Sequence, residues 1–179
     1  GNSVSNVREV ALYSEFAFEG AVIANNTVDI CAVGVSVANF NEGGRIAPVH
    51  GNVIRNILPK RPIGTAPDDD AGIGIVVEAD AAVTGNVIEN APSFGIMAGW
   101  GKYLRDVTIT GNVLRNAFVG IGVSVVPGAG TTLVSNNLIS GSRGGAIVGL
   151  DHAKAVTTDL GADGTSRFAQ IVVGVNAVR

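Results

Sequence analysis

The sequence predicts an all-β chain, wound as a right-handed single-stranded parallel β-helix of about six to seven coils, with three short strands per coil and an asparagine ladder in one turn. Three observations predict it. The first is a recurring hexapeptide: GNVIRN at Gly51, GNVIEN at Gly85 and GNVLRN at Gly111, with looser copies GNSVSN at Gly1, NNTVDI at Asn25 and NNLISG at Asn136. The aligned asparagines are Asn2, Asn26, Asn52, Asn86, Asn112 and Asn137, so the steps are 24, 26, 34, 26 and 25 residues. A period of this length marks stacked repeats. The second is that each repeat carries three apolar runs, as in Val113-Leu114, residues 119–125 and Thr132-Leu133-Val134. Their β-branched residues alternate with Gly or Ser, the pattern of strands with one buried face. The third is that no stretch has a 3.6-residue apolar stripe long enough for a core helix, which excludes ankyrin and tetratricopeptide arrays.

The elements follow in order. Residues 1–24 make a first coil, with Phe16-Ala17-Phe18 and Ala21-Val22-Ile23 as apolar runs whose aromatics pack inside a small-residue core. The second coil carries Val33-Gly34-Val35-Ser36-Val37 and then a polar loop, NFNEGGR, over residues 39–45. The third is stretched to 34 residues by an insertion over residues 58–71, which holds three of the six prolines and the run Asp68-Asp69-Asp70. That composition predicts a stiff surface excursion with Lys60 and Arg61 solvated. The fourth coil has a second excursion over residues 99–106, GWGKYLRD, with the single tryptophan. The fifth turns at Pro127-Gly128, and the sixth runs from Gly144 into Asp151-His152. Residues 154–179 read as a cap or last coil, and residues 1–179 as a single domain.

The repeated asparagine is expected in the tight bend between the second and third strands, where αL geometry must be tolerated. Glycines 51, 85 and 111 precede it and ease the same turn. With coils roughly 4.8 Å apart, the stacked amides hydrogen-bond to one another as a ladder.

Composition narrows the function. Hydrophobic residues are 46% of the chain, but no run approaches the ~20 apolar residues of a membrane-spanning helix. Twelve basic against 15 acidic residues give a net charge of −3 with no basic stripe, which argues against nucleic acid as a partner. The single cysteine, Cys31, beside an apolar strand, reads as a buried inert thiol. The chain begins inside a repeat motif, so the sequence is expected to be the C-terminal part of a longer protein.

Such a coil resembles the pectate-lyase-like superfamily, whose members mostly bind, cleave or epimerise polysaccharides. A closer resemblance lies in EFAFEG (residues 15–20), NFNEGGR (39–45), DDDAGIGIVVEAD (68–80), GWGKYLRDV (99–107) and SVVPGAG (124–130). These segments are similar to a family of twin-arginine-exported bacterial repeat proteins, named for export signal and repeats rather than for an activity. That resemblance implies a mature protein in the periplasm or outside the cell.

In pectate-lyase-like folds the site lies along the outer face of one sheet. Alternation assigns Gly34, Ser36, Gly74, Val76, Glu78, Gly95, Met97, Gly120, Gly122 and Ser124 to that face, with Gly145 and Asp151 at its end, so it is expected to be nearly bare. A hydrolase needs two carboxyls about 5–9.5 Å apart. The candidates for catalysis are Glu78, Asp151 and His152. Asp68, Asp69 and Asp70, with Glu78 and Asp106, are candidate calcium ligands, since carboxylate oxygens suit that ion; the plainer reading is a solvated acidic turn. Trp100 and Tyr103 are candidates to stack on sugar rings, with Lys102 and Arg105 pairing an acidic sugar; the plainer reading folds the aromatics onto the coil. No GxSxG, HExxH, P-loop or paired CxxC is present.

Two functions therefore stand at this point. One is binding or modification of a polysaccharide, by a lyase or a glycoside hydrolase if catalysis occurs, in a groove between the two insertions. The other is a structural or protein-interaction module that self-associates through uncapped coil ends.

Overall fold

The computed structural model of the chain describes residues 1–16, 18–40, 45–65, 69–165 and 167–179. It is all-β, and apart from Lys154–Asp159, which pairs antiparallel, the strands pair in parallel with their equivalents one repeat away. Val53–Arg55, Val87–Glu89, Val113–Arg115 and Leu138–Ser140 stack in this way on the first half of Thr27–Ala38, with Ala177–Val178 as the last member. Ile73–Val77, Phe94–Ala98, Val119–Ser124 and Ile147–Asp151 continue the second half of Thr27–Ala38. A third stack contains Ile23–Ala24, Ala47–His50, Ala79–Thr84, Arg105–Thr110, Thr132–Ser135 and Ile171–Val173. We refer to these as the first, second and third faces. Ser3–Glu15 pairs along all of Thr27–Ala38, so the first two faces form one twelve-stranded sheet beside a six-stranded one. Parallel stacking with an asparagine ladder is consistent with a parallel β-helix.

The side chains explain the register. Ile54, Ile88, Leu114 and Ile139 form one inward column, Ile75, Ile96, Ile121 and Ile147 a second, and Val49, Val83, Ile109 and Val134 a third. All twelve are fully buried, and each contributes roughly 1.5–3 kcal/mol relative to exposure. A one-residue slip would turn a whole column outward. Cys31 joins this core, and burial pushes its thiol up to about 12, so it is inert toward oxidants and metals.

At the C-terminal end Lys154–Asp159 runs antiparallel to Ile147–Asp151 and covers that edge of the second face, and the four-residue helix Leu160–Asp163 follows. Ile171–Val173 and Ala177–Val178 return to the other two faces. Residues 154–179 are therefore part cover and part coil. Among the described residues no helix is long and apolar enough to cross a membrane.

The ladder exists, in a different bend from the one expected. Asn52, Asn86 and Asn112 lie between a third-face strand and the next first-face strand. Nδ2 of Asn2, Asn26, Asn52, Asn86 and Asn112 each donates to Oδ1 of the next rung at 2.9–3.0 Å. Each backbone N–H donates to the same oxygen. From Asn52 onward the second amide hydrogen reaches a carbonyl of an earlier third-face strand, such as Val49 O from Asn86. Asn137 passes the ladder to a seventh rung, Asn176, at 3.0 Å. An αL residue precedes the rungs from Asn26 to Asn137: Gly51, Gly85 and Gly111, and Asn25 and Asn136 where glycine is absent, all at φ 57–66°.

Four of the glycines assigned to the outer face, Gly34, Gly74, Gly95 and Gly120, point the other way. A Cβ on Gly34, Gly74, Gly95 or Gly120 would lie 2.5–2.7 Å from the carbonyl oxygen of the residue stacked on it, and equally near Ile54, Ile88, Leu114 or Ile139. They face the core, and only hydrogen fits there. Phe16 also departs from its expected inward packing, since its ring is exposed.

Candidate functional site

Because those glycines turn inward, their neighbours turn outward, and the outer side of the second face is apolar rather than bare. Val10, Val33, Ile73, Phe94 and Val119 form one column, and Tyr13, Ser36, Val76, Met97 and Gly122 the next. Val33, Ile73, Phe94, Met97, Val119, Val148 and Leu150 make a second apolar cluster outside the main core, with Val10, Val76 and Trp100 packed against it.

A cleft of about 800 Å³ opens over this surface. Its floor is Val33, Ser36, Val76 and Met97, and its aromatic walls are Tyr13, Phe16, Phe40 and Trp100. Glu9, Arg61, Asp69, Asp70 and Glu78 bring the charge. Phe16 and Phe40 lie 5.2 Å apart between ring centroids, and Phe40 and Tyr103 4.5 Å, so three aromatics form a run along one side. Lys102 Nζ sits 5.6 Å above the Tyr103 ring.

Glu78 occupies the single-residue bend between Ile73–Val77 and Ala79–Thr84. Only 7% of it is exposed. Its Oε2 accepts a 2.6 Å hydrogen bond from the backbone N–H of Asn39, the residue at the matching bend one coil earlier. Burial pushes its carboxyl up to about 7, against the lowering effect of that hydrogen bond and with a further push from Glu15. Tyr13, whose hydroxyl bonds Glu15 at 2.8 Å, is pushed up to about 12 by burial and by these carboxylates.

Arg61 is the anchor of the first insertion, not a solvated side chain. Its Nη1 lies 3.2 Å from Glu9 Oε2 and 3.5 Å from Asp69 Oδ2, and its Nε donates to the Asp70 carbonyl at 3.2 Å. Arg8 holds the same loop by donating to the Ile63 carbonyl at 2.8 Å. Partial burial and the Asp69 charge raise the Asp70 carboxyl.

The sequence-derived candidates therefore fall into three groups. Glu78, Asp69, Asp70 and Trp100 meet at the cleft. Tyr103 and Lys102 border it through Phe40, whereas Arg105 is engaged by Asp80 at 2.5 Å on the third face, where Arg105 and Asp106 open a strand instead of closing the loop. Asp151 and His152 form a pair 2.7 Å apart, and the His152 ring packs edge-on against Trp100 at 4.9 Å, on the side of the tryptophan that borders the C-terminal coils. Asp68 lies outside the described residues. Among the described residues no group of three or more His, Cys, Asp or Glu stands close enough to hold a metal ion. Sequence reasoning passed over Glu9, Tyr13 and Phe40. Ser3–Glu15 pairs with Thr27–Ala38, but an irregularity between Val7 and Val10 shifts the register by one, so the 24-residue step of the ladder would have set Tyr13 beside Val37 rather than Ser36.

No protein-family model, curated protein or solved structure matches the chain.

Proposed function

We propose that the cleft binds a polysaccharide. The reading takes the chain as a right-handed, single-stranded coil of about six to seven turns, akin to the pectate-lyase-like superfamily, in a protein that acts in the periplasm or outside the cell. Right-handed winding is the rule for parallel crossovers. One observation carries the function: a single open cleft joins an apolar floor and aromatic walls to carboxyls from both the first insertion and the second face. Sugar rings present C–H faces to apolar surfaces and hydroxyl donors to carboxylate oxygens, so this mixture suits them.

The test is binding of neutral and acidic polysaccharides by calorimetry, with an assay for new reducing ends and unsaturated products, with and without calcium. Trp100→Ala is expected to weaken binding at least tenfold while circular dichroism stays that of the parent. Unchanged affinity in that variant would remove the cleft from the account, and failure of every polysaccharide to bind would end the reading.

The alternative is a structural role that works through self-association at coil ends, since open strand edges template pairing. A strictly monomeric protein at high concentration would count against it.

A further inference from the structure

We propose that the glycan held in the cleft carries ammonium groups, and that the cleft selects a chain of amino sugars with free amines over neutral or uronate chains. The proposal rests on the cleft being the glycan site.

The charges of the lining carry it. Glu9, Asp69, Asp70 and Glu78 face the cleft against a single guanidinium, Arg61, already held by Glu9 and Asp69. The nearby cations do not line it: Arg105 is engaged by Asp80, and Lys102 lies over the Tyr103 ring. A uronate entering this space would bring a fifth carboxyl and, among the described lining residues, meet only the Arg61 guanidinium, already paired.

Glu78 is the second, independent observation. The residue is more than nine-tenths buried and its Oε2 is held by the Asn39 N–H, while Oε1 is not among the fully buried atoms and makes no hydrogen bond to the described residues. A carboxyl fixed through one oxygen, with the other open at the wall of a cleft, can accept from a donor that enters it. An ammonium group supplies three hydrogen-bond donors and the missing charge together. Its positive charge would also oppose the burial that raises both Glu78 and Asp70. The walls include Trp100, Phe16 and Phe40, and aromatic rings suit both sugar C–H groups and cations.

Calorimetry at low salt, at a pH where the amines are protonated, would compare four probes: fully deacetylated oligoglucosamine, its N-acetylated counterpart, an oligogalacturonate and an oligolysine of matched charge. The deacetylated chain is expected to bind at least tenfold tighter than the acetylated one, with no measurable binding of the uronate. Glu78→Gln and Asp70→Asn should each shrink that preference several-fold. Equal or tighter binding of the acetylated chain or the uronate would overturn the proposal while leaving the glycan reading in place. Oligolysine binding as tightly as oligoglucosamine would overturn it as well, by making the cleft a general cation groove. A preference that survives both substitutions would do the same. If no oligosaccharide bound, the glycan reading itself would fall.

Discussion

The bend that precedes the first face and the bend that follows the second face are crossed once in every coil, and the chain treats them in opposite ways. At the first, Asn26, Asn52, Asn86, Asn112 and Asn137 repeat one solution, with buried amides and every rung bonded to the next. At the second, successive coils place Asn39, a one-residue bend at Glu78, the 3₁₀ turn Gly101–Tyr103, and the Pro127-Gly128 turn. The uniform bend satisfies backbone groups that would otherwise be buried without partners. The variable bend leaves a buried carboxyl and a tryptophan beside a cleft. Repetition in a solenoid marks the stacking solution, and departures from it mark where chemistry is placed.

The largest effect should come from breaking the uniform bend. Asn86→Ala removes the acceptor of both Asn52 N–H and Asn52 Nδ2, and it takes the donor from Val49 O. Each buried group left unpaired costs roughly 1–3 kcal/mol, so a loss of about 4 kcal/mol is expected in urea unfolding. A loss below about 1 kcal/mol would mean that the ladder is ornamental and that the contrast between the bends is false.

The variable bend should respond with the opposite sign. The folded-state pKa of Glu78 is raised from 4.5 to about 7, so the fold favours its neutral form. The stability this provides is complete below about pH 4.5 and is lost as pH rises through about 7. Glu78→Gln keeps the neutral shape at every pH, and relative to the parent it should gain about 3 kcal/mol between pH 4 and pH 8. A pH-independent difference between the two proteins would show that the carboxyl is solvated.

Between these two bends stands the glycine column. Gly95→Ala sets a methyl 2.7 Å from Gly120 O and from Leu114 Cδ2, and overpacking of this kind costs roughly 2 kcal/mol. A neutral substitution would restore the outward assignment that alternation implied.

That misassignment shows what the sequence can carry. The strands and the ladder were legible because each is written several times, and local pattern agrees with stacking. Strict alternation failed at residues 33–37, where Gly34 and Val35 both face inward and Val33 and Ser36 face outward. A glycine without Cβ permits that change of parity, and nothing in the run announces it. Glu78 looked like an exposed carboxylate because its partner, Asn39, is 39 residues away, and Arg61 looked solvated because Glu9 is 52 residues away. The seventh rung, Asn176, lay a 39-residue step beyond Asn137 and outside the hexapeptide pattern.

The smallest effect separates two ladders that look alike on paper. The last residue of each hexapeptide, Asn56, Asn90 or Asn116, is an αL residue, and these side chains also bond in series, Asn90 Nδ2 to Asn56 Oδ1 at 3.0 Å and Asn116 Nδ2 to Asn90 Oδ1 at 3.3 Å. This second ladder is exposed, so water replaces its hydrogen bonds at little cost. Asn90 is kept for its backbone, at φ 59°. Asn90→Gly retains that geometry and should change stability by less than about 0.5 kcal/mol. Asn90→Ala retains neither the geometry nor the amide and should cost about 1 kcal/mol, the ordinary penalty of αL for a residue with a Cβ. If glycine and alanine cost the same in urea unfolding, the amide rather than the dihedral angle is what matters. The exposed ladder would then belong with the buried one, and burial would no longer be what distinguishes them.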